Sequence, residues 1–453
     1  MYEFSPSGIA TAEPTLREKR LAPMPSRSGD TSGTTATGRR DGKNAIDRVV
    51  VINDLSIAKG GGTGLALLSV RLLRQAGIPV TYICGDDGEN PDFADLGVEV
   101  VALGGQHILT GNRLRAMVSG VHNVDAKTMI TRWITANDTA NTVYHVHGWS
   151  KIMSPAVFSA LSRVAGRSVL HAHDFFLACP NGAFYDYQSQ LACERRPLGL
   201  GCMANNCDKR SYGQKVWRAA RSARLRSLVL RRGASSRRVL LLHDKMAPAF
   251  ERSGYVPEML HTLRNPVVSY CSERVCAENN SEFFFIGRLE PEKGIEDAVK
   301  AAAMAGVRLT IIGDGPLKER LSTFGNGVRV LGWQSHGQIA EHVRNARALL
   351  MPTRYPEPFG LVAVEASQSG IPVVLSTKAY LAEEMVAAGV ALACETANAV
   401  AFAHTLRHLA QMPADKLKAM SQRAFSRAAP LATSPEEWRD ALIGHYINLI
   451  AGA

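Results

Sequence analysis

The feature that most constrains this chain is a repetition at a distance. Val49 to Cys84 reads VVVIND, a glycine loop GGGTG, LALLSVRLLRQAG and IPVTYIC, while Glu282 to Gly313 reads EFFFIG, a charged loop RLEPEKG, IEDAVKAAAMAG and VRLTIIG. Both are strand, loop, helix, strand. Short runs of branched and aromatic residues suit strands buried on both faces, and the Ala- and Leu-rich stretches ending at Gly77 and Gly306 suit helices with glycine past the end. TVYHVHG and RSVLHAHD continue the alternation in the first half, and VRVLG, ARALLMP and IPVVLST in the second. The expected fold class is α/β, with two doubly wound Rossmann-like domains facing a cleft, and ligands in such sheets collect at the carboxyl ends of the strands.

A chain of 453 residues has room for two such cores. The expected layout is a disordered tail over 1–45, rich in Ser, Thr, Gly, Pro and Arg, a first domain over 46–265 and a second over 266–430. The polar connector RNPVVSYCSERVCAENNSE lies at the join. A last helix over 431–453, capped by Ser434 and Pro435, is expected by analogy to pack back on the first domain. No apolar run reaches the roughly 18 to 20 residues of a membrane span, and no secretory signal core is present, so a cytoplasmic location is expected.

In the second half, PEPFGLVAVE places Glu357 just before a helix and Glu365 inside it, around Phe359, Gly360 and Leu361. A helix start offers unpaired N–H groups and a partial positive end, and glycine lets an anion approach the backbone. Phosphate would repel carboxylates, so the two Glu residues are better suited to accepting hydrogen bonds from hydroxyls. A nucleoside-diphosphate sugar supplies hexose, diphosphate and ribose in the matching order. GRLEPEKG adds Arg288 and Lys293, cations able to stabilise a departing diphosphate.

GRLEPEKG, IIGDGP, VRVLGW and EPFGLVAVEA, in that order and spacing, resemble the carboxyl-terminal domain of glycosyltransferase family 4, retaining enzymes of the GT-B fold. The resemblance spans roughly Asp47 to Pro430. It implies that Glu357 contacts the donor sugar, Glu365 the ribose, and Arg288 and Lys293 the diphosphate, with Gly313 to Gly315 and Gly332-Trp333 near the base. It also implies that Gly61 and Gly62 form a loop against the donor phosphates, although GGGTG by itself also suits a tight turn. His145 and His147 share one face of a strand, and His147, nearer its carboxyl end, resembles the histidine facing the donor sugar. His173 and Asp174 resemble an element lining the acceptor side. The implied reaction is a retaining, front-face transfer to a glycan or lipid-linked acceptor in bacterial surface polysaccharide assembly, with no cofactor and no divalent metal. A nucleotide-sugar epimerase and a non-catalytic nucleotide-sugar sensor are the alternatives.

Two features stand outside that scheme. Formal charge is +11, and Lys209 to Arg238 holds eleven cations and no acid. Such a segment suits an anionic membrane surface or a merely solvated basic face, with nucleic acid less expected. Cys179, Cys193, Cys202 and Cys207 fall within 29 residues. Four thiols can enclose a structural zinc ion, but the gaps are not the paired spacing of common zinc modules, and unligated cysteines in an insertion are the favoured expectation.

Overall fold

The computed structural model describes residues 46–58, 60–108, 113–230, 237–325 and 327–452. The tail expected over 1–45 lies outside them. In the first lobe a seven-stranded parallel sheet is built from β1 (Arg48–Asn53), β2 (Val80–Cys84), β3 (Glu99–Ala102), β4 (Thr142–Val146) and β5 (Ser168–Ala172). A short antiparallel hairpin follows, β6 (Tyr185–Asp186) with β7 (Leu191–Ala192), and β8 (Arg238–Leu241) and β9 (Leu260–Thr262) complete the sheet. Its order is β3-β2-β1-β4-β5-β8-β9. Val49 to Ile52 are fully buried, as the unbroken apolar run requires of a strand covered on both faces.

The second lobe carries a six-stranded parallel sheet of β10 (Glu282–Ile286), β11 (Leu309–Ile312), β12 (Val328–Gly332), β13 (Ala346–Met351), β14 (Val373–Ser376) and β15 (Ala391–Cys394). Its order is β12-β11-β10-β13-β14-β15. In each sheet the order reverses beside the lobe's first strand, between β1 and β4 and between β10 and β13. Such switch points open a crevice at the strand ends, and His147 follows β4 while Arg288 and Lys293 follow β10.

The last helix, Pro435–Ala451, starts with a capping box between Ser434 and Glu437. Its Trp438, Leu442, Ile443, Tyr446 and Leu449 join the first lobe's core with Val49, Val51 and Leu73. Chain therefore crosses between lobes twice, and the crossings are tied together: the Val267 N–H donates to the Thr433 carbonyl at 3.2 Å and the Thr433 N–H to the Asn265 carbonyl at 3.3 Å. Beside them His243 Nε2 and Arg264 from the first lobe both meet Glu384 of the second, at 2.9 and 2.7 Å. Phe175 and Tyr380 add an edge-to-face ring contact between lobes.

The basic segment is not a solvated face. Lys215, Arg221 and Arg237 are buried, Arg218 pairs with Asp208 at 3.0 Å, and Arg238 donates to His445 Nδ1 at 2.9 Å. Arg221 donates to the Ser150 carbonyl at 2.6 Å and lies over Trp149. The outward stripe of helix Tyr212–Val229 instead carries Tyr212, Val216, Ala220, Ala223 and Ser227, with Arg224 as its charge. The partners are the adjoining Asp208 and, from elsewhere in the fold, Glu292, His445 and the Ser150 carbonyl. Arg231 and Arg232 lie outside the described residues. No helix among the described residues is long and apolar enough to cross a membrane.

Candidate active site

On the carboxyl-lobe wall, β10 ends at Ile286 and its loop delivers Arg288 and Lys293. Lys293 Nζ donates to Glu357 Oε2 at 2.5 Å and to Tyr355 Oη at 2.7 Å, and Tyr355 Oη donates to the same Glu357 oxygen at 2.7 Å. Burial pushes the Glu357 carboxyl up, but Lys293, Tyr355 and Arg288 outweigh it and hold the group below its ordinary range. Glu357 is therefore a carboxylate at neutral pH. Arg288 is exposed along its side chain and pairs with Glu290 at 2.7 Å.

Gly360 precedes helix Leu361–Gln368 with φ of 75°, and a β-carbon there would stand 2.7 Å from Met351 Sδ. Only glycine fits both constraints. Glu365, inside that helix, is raised by burial against the pull of Tyr270, whose hydroxyl donates to its Oε2 at 2.7 Å. Phe359 is buried in the core, so its backbone alone is available to a ligand. Gly313 and Gly315 pack under the cationic loop: β-carbons there would stand 1.8 Å from the Gly287 carbonyl oxygen and 2.7 Å from that of Leu289. Their contact is with the loop that carries Arg288.

On the opposite wall, the GGGTG stretch is not a free loop. Helix Gly61–Gln75 begins within it, so Gly61 and Gly62 are its first two residues. A β-carbon on Gly61 would touch Leu361 Cδ1 at 3.4 Å, and one on Gly62 would touch His173 at 3.3 Å. The amino ends of two helices, one from each lobe, thus meet in the cleft, which concentrates unpaired N–H groups and partial positive charge there.

His147 follows β4 and His173 follows β5, joined from Nδ1 to Nε2 at 2.9 Å. Behind them His145 Nε2 meets His171 Nδ1 at 3.2 Å, and His145 Nδ1 meets Tyr446 Oη at 2.7 Å. The four rings stack, with the His171 and His173 centroids 4.4 Å apart. Burial drives all four imidazoles toward the neutral form, His173 to about 4. His147 Nε2 and His173 Nδ1 are buried with no hydrogen-bond partner. Asp174 opens onto the cleft; its carboxyl is pushed up to about 6 by burial, against the Phe176 N–H, Lys151 and Arg288. Arg288 belongs to the other lobe, so the field of its guanidinium reaches Asp174 across the cleft.

Asp54, at the end of β1, accepts the N–H groups of Lys151, Ile152 and Met153 at 2.6, 3.0 and 2.9 Å, which pins the loop following His147. Asp54, Tyr270, Tyr355, His171 and Tyr446 had not been singled out in the sequence, and His145 had been named only as the neighbour of His147 on its strand. Tyr355 lies two residues from Glu357 and was within reach of a local reading. His145 and Tyr446 are 301 residues apart, so no local signal joins them.

Among the described residues, no three cysteine sulfurs come close enough to share an ion. Cys202 and Cys207 instead approach the buried Lys215 ammonium at 3.3 and 2.9 Å, and Cys179 donates to Asn181 Oδ1 at 3.1 Å. A cation already occupies the centre that zinc would need. His145, His147 and His171 offer nitrogens within 4.8 Å of one another, but two of these rings are already hydrogen-bonded together.

Comparison with known proteins follows the same geometry. The carboxyl-terminal lobe matches the glycosyl transferases group 1 family over residues 273–427. The fold is that of the GT-B glycosyltransferases. The chain is 26% identical over 287 residues to a glycogen synthase of Mycobacterium tuberculosis, a match that covers 60% of this chain and 66% of that relative. A sucrose-phosphate synthase from Thermosynechococcus elongatus superposes with a TM-score of 0.64 at 16% identity, covering 90% of this chain and 100% of that one. Anabaena HepE, solved in complex with UDP and glucose, superposes at 0.59 with 17% identity, covering 88% and 98%. In this GT-B cleft the paired Glu residues, the cationic loop and the imidazole stack stand at the switch points of the two sheets.

Proposed function

We propose that the protein is a retaining, family 4-type glycosyltransferase that moves a sugar from a nucleoside-diphosphate sugar to a hydroxyl of a glycan or lipid-linked acceptor, in bacterial surface polysaccharide assembly. The observation that carries this reading is the Lys293–Tyr355–Glu357 triangle at the mouth of a cleft where two helix starts converge. Arg288, Lys293 and the N–H groups at Leu361 hold the diphosphate. Glu357 accepts from the sugar hydroxyls, and Glu365, oriented by Tyr270, accepts from the ribose. The complex of Anabaena HepE with UDP and glucose supports a nucleotide donor in a cleft of this kind.

In the transfer, the bond between the anomeric carbon and the diphosphate oxygen breaks as the bond to the acceptor oxygen forms on the same face. The acceptor proton passes to the leaving diphosphate, whose charge Arg288 and Lys293 stabilise. His147 is neutral and its Nε2 is unpartnered, so it meets the sugar as a hydrogen-bonding group without adding charge. Asp174 serves the acceptor hydroxyl. No step requires a bound metal.

The test is incubation of purified protein with a panel of nucleotide sugars, with and without glycan acceptors, and NMR assignment of the product's anomeric configuration. Retention, abolished by Lys293→Ala and Glu357→Ala, is the expected result. An inverted product refutes the mechanism, and absence of both transfer and donor hydrolysis across the panel refutes the reading.

A further inference from the structure

The segment between β5 and helix Tyr212–Val229 does not stay on its own lobe. At the turn of the β6–β7 hairpin, Gln190 Oε1 accepts from Arg354 Nη1 of the second lobe. Further along, Lys209 Nζ donates to Glu292 Oε1 and Oε2 at 3.0 and 3.2 Å and stands 3.7 Å from Glu290 Oε2. Glu290 and Glu292 belong to the loop that carries Arg288 and Lys293. Arg354 grips the same loop, since its N–H donates to the Glu292 carbonyl at 2.9 Å. The segment therefore holds the cationic loop at two points.

The backbone around Lys209 is itself fixed. Gln188 Nε2 donates to the Asp208 carbonyl at 2.7 Å, the Arg210 N–H donates to Asp208 Oδ1 at 2.9 Å, and the buried Asp208 pairs with Arg218 at 3.0 Å. The Lys209 ammonium lies 5.8 Å from the centre of the Tyr187 ring.

Charge in the loop is crowded. Glu290 already holds Arg288 at 2.7 Å, and among the described residues Lys209 is the one ion-pair partner of Glu292, whose side chain is only 7% exposed. Burial and the neighbouring Glu292 push the Glu290 carboxyl up, against Arg288 and Lys209. For Arg288 to turn to a diphosphate it must leave Glu290, and the two acids then depend on Lys209. Without Lys209, Arg288 would be the cation that both acids retain.

We infer that Lys209 is a positioning residue for the donor: reaching across from the first lobe, it neutralises the Glu290–Glu292 pair and so releases Arg288 to the diphosphate. Donor affinity is thereby tied to the approach of the two lobes. This deepens the transferase reading above and rests on its placement of the diphosphate at Arg288.

Titration calorimetry of the full chain with UDP, GDP and ADP, each beside its own nucleoside, tests the inference. Lys209→Ala is expected to weaken the bound nucleoside diphosphate about tenfold and leave the nucleoside unchanged, with recovery in Lys209→Arg. Adding Glu290→Gln to Lys209→Ala removes the anion that retains Arg288, so affinity should return to within about threefold of the parent. A merely structural role for Lys209 would not be relieved by that second change. Equal diphosphate binding in the parent and Lys209→Ala, an equal loss for nucleoside and diphosphate, or no recovery in the double variant overturns the inference and leaves the donor reading standing. Absence of diphosphate binding in the parent removes the donor reading and this inference with it. Should Lys209→Ala not fold, Glu290→Gln alone carries the test: tighter diphosphate binding supports the competition for Arg288, and unchanged or weaker binding overturns it.

Discussion

The two walls of the cleft solve opposite electrostatic problems. On the carboxyl-lobe wall the central charges are answered within the protein: Lys293 and Tyr355 satisfy Glu357, Tyr270 satisfies Glu365, and Arg288 rests on Glu290. On the amino-lobe wall, four neutral imidazoles stack together and leave His147 Nε2 and His173 Nδ1 unpartnered. Orphaned neutral nitrogens cost desolvation until a hydroxyl reaches them. On the proposed reading, charge stabilisation falls to the carboxyl lobe, and Glu357 and His147 meet the sugar from opposite walls.

Substitutions should separate those two roles. Lys293→Ala removes positive charge from the leaving diphosphate and leaves Glu357 buried without its cation, so transfer is expected to fall about a thousandfold, measured as kcat at saturating donor. His147→Ala removes one neutral hydrogen bond and is expected to cost about tenfold. If the two losses were equal, the division of labour between the walls would be gone. A smaller effect concerns pH. Because the Asp174 carboxyl sits at about 6, with Lys151 and Arg288 facing it, the carboxylate is lost as pH falls through 6. Activity at pH 5 should then be about a tenth of its plateau, and Asp174→Asn should flatten that limb of the profile; an unchanged limb assigns it to another group. Smallest is Tyr270→Phe, which frees Glu365 to tilt and should raise the donor KM about threefold to tenfold with kcat nearly unaltered. A fall in kcat of the same size would place Glu365 at the reacting bond instead.

Much of the carboxyl wall was legible in the sequence because its parts are local. Glu357, Gly360, Leu361 and Glu365 lie within nine residues, and Arg288 and Lys293 share one loop after one strand. Helix starts and strand ends follow from apolar period and glycine placement, so the chemistry could be read beside them. The amino wall was half legible. His147 and His173 stood out at strand ends, but their mutual hydrogen bond arises because β4 and β5 are neighbours in the sheet.

The basic run shows where local reading fails. Eleven cations with no acid among them suggested a surface, yet the adjoining Asp208, the Ser150 carbonyl and a histidine of the last helix draw several of them inward. For the cysteine cluster, proximity along the chain did not bring three sulfurs together among the described residues, and Lys215 approaches Cys202 and Cys207.

By itself, then, the amino-acid order determined two parallel-sheet lobes and the identity of the groups on the carboxyl-lobe wall, because hydrophobic period and turn residues act over a few positions. Which cations remain free, which imidazoles lose their protons and which acid meets which base were decided only by tertiary structure. Burial and Coulomb energy depend on distance in space, and the chain sets that distance only once both sheets are packed.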